Sequence, residues 1–225
     1  MALETTSDFA TIGAQRFRSA FMRCIDKVED ALSTIPKGEA GHRLHGIKAL
    51  NPILASDGCI GAVAASILGA SAKPVRAILF DKSAETNWSL AWHQDRTICV
   101  KERHETPGFG AWTIKEGLHH VAPPLDLLTR MVTLRAHLDE VPATNAPLLI
   151  ARGSHAFGRV PVKNVVRTVE LCGTVECLAE AGDIWLYATL ILHASEKASI
   201  PASRRVLQVD YTAEELPGGL EWLGV

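Results

Sequence analysis

At 225 residues, with 47% hydrophobic and 21% charged, the chain has the length and balance of a globular protein with a substantial buried core. A net charge of −2 leaves no basic stripe to neutralise phosphates, which argues against nucleic acid as a main partner. Met1–Asp8 has none of the marks of a signal peptide, and the longest apolar run, Cys59–Ala70, falls well short of the roughly 20 residues of a membrane span.

Phe17, Phe21, Cys24, Ile25, Val28, Leu32 and Ile35 recur at three- and four-residue steps, which predicts one amphipathic helix stopped by Pro36 and Gly38. A second helix is expected from about Asp57 to Ala70, capped by Ser56 or Asp57. From Val75 the texture changes to short β-rich runs: VRAILF, TICV, RMVTLRAHL, PLLIA, TVECL, DIWLYATLIL and RVLQVDY. Gly, Pro, Asn and Asp part them, and a helical turn is expected at Pro123–Leu128. Alternation, as in Val132–Leu138, predicts strands with one buried face. With no βαβ rhythm and no repeat, the expected fold class is mainly β with flanking helices. It is a double-stranded β-helix (jelly-roll, cupin-like) core over about 75–215 beneath a helical N-terminal layer over about 1–74, as one domain spanning 1–225.

The five cysteines, Cys24, Cys59, Cys99, Cys172 and Cys177, are odd in number and lack a CxxC pair, so they read as free thiols in a reducing cytoplasm. Nine histidines raise the question of metal. His42 and His45, separated by Arg43 and Leu44, have a spacing a helix could use, but no carboxylate follows in register. His119 and His120 are adjacent and on a strand would point to opposite faces. His104 sits in a charged loop, and His137 and His155 read as structural.

His93 and Asp95, within Trp92-His93-Gln94-Asp95-Arg96, differ from the rest. Two residues apart on extended backbone, their side chains leave the same side and can converge on one ion. An imidazole and a carboxylate suit Fe(II), and a facial triad needs one more histidine, which a jelly roll brings from a late strand. His193, ending the apolar run IWLYATLIL, is the best candidate. Arg204 follows at the start of RRVLQVDY, and Ser195 stands two residues after the histidine. A guanidinium matches a carboxylate bidentately and a hydroxyl adds a further hydrogen bond, which suits the far carboxylate of a metal-chelating 2-oxo acid. Strand alternation leaves Arg205 as the alternative to Arg204.

The segments AWHQD, RMVTLRAHLDE, PLLIARGSHAFG, AGDIWLYATLILHAS and SRRVLQVDY together resemble the phytanoyl-CoA dioxygenase family of Fe(II)/2-oxoglutarate oxygenases, in order and approximate spacing, over about Phe80–Tyr211. The resemblance implies His93, Asp95 and His193 as iron ligands and catalytic centre. It implies Arg204 with Ser195 as holders of the 2-oxoglutarate C5 carboxylate. Fe(II), 2-oxoglutarate and O2 would then be required, and a small molecule would be hydroxylated with release of succinate and CO2. Asp95 favours hydroxylation, because halogenating relatives carry a small residue there. The chain departs from the family pattern at Arg152-Gly153-Ser154-His155, usually Pro-Gly-Ser-His, and at Asn145-Ala146-Pro147, often Asn-Gly-Pro. Its shortness for the family suggests a small free substrate rather than a bulky thioester. Trp92, Trp112, His119, His120, Arg135 and Trp185 are the candidate substrate contacts. The basic ones suit a carboxylate-bearing substrate such as an amino acid, and for each tryptophan core packing is the favoured reading. The rivals are a cupin-like hydrolase or isomerase, which has no use for Arg204, and a non-catalytic small-molecule-binding jelly roll.

Overall fold

The computed structural model describes residues 7–36 and 40–225, so Met1–Thr6 and the Gly38 stop lie outside the described residues. The strands, in chain order, are β1 Ala14–Phe17, β2 Gly41–Leu44, β3 Lys73–Lys82, β4 Leu90–His93, β5 Ile98–Val100, β6 Gly110–Lys115 and β7 Leu118–Ala122. They continue with β8 Met131–His137, β9 Leu148–Ala151, β10 Thr174–Cys177, β11 Ile184–Ala188, β12 His193–Ser195 and β13 Arg204–Thr212. The helices are α1 Ser7–Ile12, α2 Ile25–Leu32, α3 Asn51–Leu54, α4 Gly61–Leu68, α5 Leu125–Thr129 and α6 Val165–Cys172.

A major six-stranded sheet runs β1-β11-β8-β13-β3-β2, a minor sheet runs β10-β9-β12-β4, and a third runs β5-β7-β6. The paired strands are antiparallel throughout. This is the expected mainly β, jelly-roll architecture.

Side-chain alternation decides what each face of the major sheet does. Ala77 and Leu79 of β3, Leu134 and Ala136 of β8, and Leu207, Val209 and Tyr211 of β13 join one hydrophobic cluster. Phe21, Val28, Leu32, Leu50, Leu54, Ile60 and Ala64 from the helical segments complete it. Tyr211 fastens the layers further by donating its buried hydroxyl to the Leu54 carbonyl at 3.0 Å. The alternate positions point into the barrel and are polar yet buried: Lys82, Thr133, Arg135, His137, Arg204, Gln208 and Asp210. A buried polar face needs partners or a ligand.

Three expectations are corrected. The predicted first helix is split, because Ala14–Phe17 forms edge strand β1 and helix begins only at Ile25. The cause is Asp183, whose carboxylate accepts from Arg16 Nε at 2.8 Å and from the Ser19 backbone N–H at 2.7 Å, tying this segment to the sheet. The second helix starts at Gly61 without a side-chain cap rather than at Asp57. A Cβ at Gly61 would lie 2.0 Å from the Ala55 carbonyl oxygen, so the α3–α4 corner is too tight for a longer helix. The run DIWLYATLIL is two strands: β11 ends at Ala188, the chain turns, and β12 opens at His193 in the other sheet.

The cysteine reading also changes. Cys24 and Cys59 form a disulfide that links the start of α2 to the segment before α4, leaving Cys99, Cys172 and Cys177 free. That pairing removes the sequence basis for assigning a reducing compartment. No helix is long and apolar enough to cross a membrane, among the described residues.

Candidate metal and co-substrate site

β4 and β12 pair antiparallel with His93 directly opposite His193, their ring centroids 4.2 Å apart. Asp95 follows β4 by two residues, and the ligand atoms of the three side chains all lie within 4.8 Å of one another. Each imidazole is oriented from behind: Nδ1 of His93 donates to the Ala91 carbonyl at 2.8 Å, and Nδ1 of His193 to the Ile191 carbonyl at 3.0 Å. A carbonyl can only accept, so both rings carry the Nδ1 proton, which leaves Nε2 as the atom each offers to the shared point. Burial pushes the His193 imidazole down to about 4 despite the neighbouring Asp95, keeping it neutral as a ligand must be. Two imidazoles and one carboxylate are the donor set of a non-haem Fe(II) centre. His42 lies on β2 and His45 beyond it, so the helical spacing considered for them does not exist.

Neighbouring residues hold this arrangement. Gln94, on the opposite side of the chain from the ligands, donates to the carbonyls of Gly158 at 2.8 Å and Leu190 at 2.7 Å and accepts from the Val160 N–H. Arg96 joins the same segment through the Val160 carbonyl. Ser154, in the Arg152–His155 turn, accepts the Leu192 N–H at 2.8 Å, directly before His193. Behind Asp95, Arg76 Nη2 stands 3.2 Å from its carboxylate, while Arg76 Nε donates to Asp210 at 2.6 Å. Thr133 donates to the other Asp210 oxygen at 3.0 Å. Burial raises the Asp95 carboxyl, but Arg76 leads the opposing influences and the net shift is downward. Asp210 is raised, by burial first and then by Asp95 against the opposing pull of Arg76.

Further along the inner face lie Arg204 and Ser195, both buried. Arg204 donates to the Ala146 carbonyl and leaves its buried Nε without a partner. Arg205 points the other way, pairing with Asp139 at 2.7 Å and Glu29 at 2.8 Å. Of the two arginines, Arg204 is therefore the one whose side chain is buried beside Ser195. The unpartnered Nε, the neighbouring hydroxyl and the imidazole–carboxylate cluster together fit an iron centre with a chelating dicarboxylate.

The remaining sequence candidates are scattered. Arg135 lies on the inner face, donating to Gln208 at 2.9 Å, with its buried Nε unpartnered. His119 and His120 sit on β7 of the third sheet, where His120 is buried with Nε2 free. Burial is the main cause that lowers its pKa, and the charges of Arg76, Lys115 and Arg43 contribute. Trp112 packs against the Val75–Trp222 cluster, and Trp92 against Val160, Val165 and Leu192. Trp185 gives its indole N–H to the Leu178 carbonyl. Sequence reasoning missed Arg76, Asp210 and Lys82. The signal was present in VRAILFDK, where alternation puts Arg76 and Lys82 on one face of a run otherwise read as apolar.

A jelly roll that gathers two histidines and an aspartate beside a buried arginine has the architecture of a non-haem iron oxygenase. The phytanoyl-CoA dioxygenase (PhyH) family model matches residues 27–206, and the chain belongs to this family of oxygenases that use Fe(II), 2-oxoglutarate and O2. The fold is similar to apo EctD from S. alaskensis, with TM-score 0.70 at 18% identity over 100% of this chain and 81% of that one. HygX from Streptomyces hygroscopicus, solved with nickel and 2-oxoglutarate bound, gives 0.59 at 15% over 94% and 87%. SnoK, a non-haem alpha-ketoglutarate-dependent carbocyclase from nogalamycin biosynthesis, gives 0.60 at 14% over 94% and 84%. No curated protein matches the chain.

Proposed function

We propose that this chain is an Fe(II)/2-oxoglutarate-dependent hydroxylase, one catalytic domain acting on a small molecule that carries a carboxylate. The observation that carries the reading is the convergence of His93, Asp95 and His193 next to Arg204 and Ser195. His93 Nε2, His193 Nε2 and the Asp95 carboxylate would hold the iron, and Arg204 with Ser195 would hold the C5 carboxylate of 2-oxoglutarate. Bound iron and co-substrate supply oxidative decarboxylation to succinate and CO2, coupled to hydroxylation of the substrate. The chain's own work is to orient the two imidazoles through backbone carbonyls, to keep Asp95 ionised through Arg76, and to exclude water with the buried inner face.

For the substrate, the side with His120 favours an anion. Its free Nε2 stands within the field of Arg43 and Arg76, and Arg43 has a buried Nε without a partner. Arg135 sits instead among the groups expected to meet the co-substrate. The experiment is release of succinate from 2-oxoglutarate by the Fe(II)-loaded protein, screened against amino acids and small carboxylic acids. Release that requires both Fe(II) and 2-oxoglutarate, and that one such acid stimulates, is the expected result. Turnover of a substrate without 2-oxoglutarate would overturn the reading in favour of a hydrolase or isomerase.

A further inference from the structure

Arg43 stands directly across from Ile78 in the β2–β3 register, so on this edge strand of the major sheet it shares the inner face with Ile78 and Arg76. Its Nη1 pairs with Glu116, in the turn between β6 and β7, which ties the third sheet to the same edge. Further along β7, His120 stands across from Cys99 of β5, so the two side chains leave the third sheet on one face. Both are buried, and both stand within the field of Arg76 and Arg43. Arg76 in turn reaches the ligand Asp95 at 3.2 Å, which puts this corner one side chain away from the metal site.

Among the described residues, Arg43 Nε and His120 Nε2 are both buried without a hydrogen-bond partner. They differ in kind. Arg43 Nε is a donor that carries positive charge. His120 Nδ1 lies 3.0 Å from the Leu118 carbonyl, which can only accept, so Nδ1 donates and Nε2 of the neutral ring keeps its lone pair. Burial foremost, then Arg76, Lys115 and Arg43, outweigh the Leu118 carbonyl and hold the ring below the usual histidine range. Cys99 adds no charge, because burial pushes its thiol up to about 11. A buried acceptor and a buried cationic donor, each unsatisfied, call for a ligand with the complementary pair of groups.

We propose that this corner recognises the substrate through a carboxylate flanked by a neutral hydrogen-bond donor, a hydroxyl or an amide N–H. Arg43 holds the carboxylate, and His120 Nε2 accepts from the donor beside it. The cations around His120 oppose an ammonium at that point just as they oppose protonation of the ring. A 2-hydroxy acid or an N-acylated amino acid therefore fits better than a free amino acid. The inference rests on the oxygenase reading above and narrows its substrate class from any carboxylate-bearing molecule to these bifunctional ones.

The test is calorimetric binding to the full chain loaded with Zn(II) in place of Fe(II) and then saturated with 2-oxoglutarate, so that no probe takes the chelating positions. The probes share one carbon frame and differ only beside the carboxylate: butanoate, 2-hydroxybutanoate, N-acetyl-2-aminobutanoate and 2-aminobutanoate, the chiral ones as both enantiomers. The wild type should bind the hydroxy or the N-acetyl acid roughly 10-fold more tightly than butanoate, the worth of one hydrogen bond to a buried acceptor. The tighter of the two identifies the donor as hydroxyl or amide. The ammonium of 2-aminobutanoate should give no such gain. His120→Leu should abolish the preference and leave butanoate binding unchanged, whereas His120→Gln, whose side-chain oxygen can accept, should retain most of it. Arg43→Met should weaken every acid, roughly 10-fold or more. Equal wild-type affinity for butanoate and both donor-bearing acids, tightest binding of 2-aminobutanoate, or a preference that survives His120→Leu would overturn the subsite. So would a wild type that binds 2-oxoglutarate and none of the probes. Failure of 2-oxoglutarate itself to bind the Zn(II)-loaded wild type would instead overturn the co-substrate reading.

Discussion

His93 stands directly across from His193 in the β4–β12 register, and each hands its Nδ1 proton to the carbonyl two residues before it in the chain. The metal-facing nitrogens are thus set by backbone geometry and not by further side chains. Alanine at His93, Asp95 or His193 should therefore leave the fold intact while lowering metal affinity on the order of 100-fold or more, since even outer partners of such ligands are worth 10- to 100-fold. Metal content after dialysis, read beside the circular dichroism spectrum, checks this. A variant that keeps stoichiometric iron would remove its residue from the ligand set.

Arg76 joins the ligand Asp95 to the buried Asp210. Removing it leaves the buried Asp210 carboxylate and the half-buried Asp95 without the cation between them. Arg76→Met is expected to cost about 3 kcal/mol of stability, as breaking a buried pair does, and to weaken metal binding roughly 10- to 100-fold. Adding Asp210→Asn removes the uncompensated charge, so the double variant should recover much of the stability and none of the metal affinity. Chemical denaturation of the single and double variants, with metal titrations alongside, separates the two effects. A double variant no more stable than Arg76→Met would show that Asp210 does not carry the penalty.

The ligand set was legible in the sequence because it depends on short-range geometry: His93 and Asp95 share a face by alternation, and His193 follows a buried run. The same local rule put Gln94 on the opposite side, where it binds three backbone groups. What failed depends on partners far along the chain. The stripe from Phe17 to Ile35 does pack against the core, with Phe17, Ile25 and Ile35 only partly buried, yet Arg16 and Ser19 are claimed by Asp183, more than 160 positions away, and that contact unwinds the first turns. Arg76 and Lys82 were hidden for a related reason. A strand with both faces buried looks uniformly apolar until the charged positions are sorted by parity.

The Cys24–Cys59 bond gives a prediction of its own. It closes a loop over a sequence separation of 35, for which the chain-entropy account gives roughly 4 kcal/mol. Thermal unfolding under strong reductant should shift downward by many degrees, and Cys24→Ser/Cys59→Ser should shift alike and then ignore reductant. Because the bond lies in the helical layer, metal and 2-oxoglutarate binding at temperatures below unfolding should not change. Identical melting with and without reductant would mean that the two thiols are not joined in solution.

Ala146 occupies φ 51°, in the left-handed region, at a turn where its carbonyl faces Arg204 and Ser195. An L-residue with a Cβ is strained there by roughly 1–2 kcal/mol, whereas glycine is not, at the cost of about 0.5–1 kcal/mol of backbone entropy. Ala146→Gly should thus stabilise slightly, by about 0.5 kcal/mol, without weakening 2-oxoglutarate binding. Differential scanning calorimetry checks the sign. A clear loss of stability would mean that the buried Ala146 methyl contributes more packing than the turn strain costs.

Arg205 separates structure from chemistry at the start of β13. Its guanidinium pairs with Asp139 and Glu29, and its backbone N–H donates to Asp139 at 2.6 Å. Burial raises the Asp139 carboxyl, but the hydrogen bonds and charge of Arg205 more than offset it, so the folded-state pKa lies below the usual value. A depressed carboxyl stabilises the fold fully above its unfolded value of about 3.9, and that contribution disappears as pH falls through the folded-state pKa. Asp139→Asn should therefore cost on the order of 1 kcal/mol at pH 7, with the gap to wild type narrowing below about pH 4. Arg205→Ala should show a similar loss at pH 7 and bind 2-oxoglutarate as wild type does, because its side chain points away from Arg204 and Ser195 to Asp139 and Glu29. Urea unfolding across pH, with the binding titration on the same samples, checks both. Weakened 2-oxoglutarate binding in Arg205→Ala would transfer the carboxylate-holding role away from Arg204.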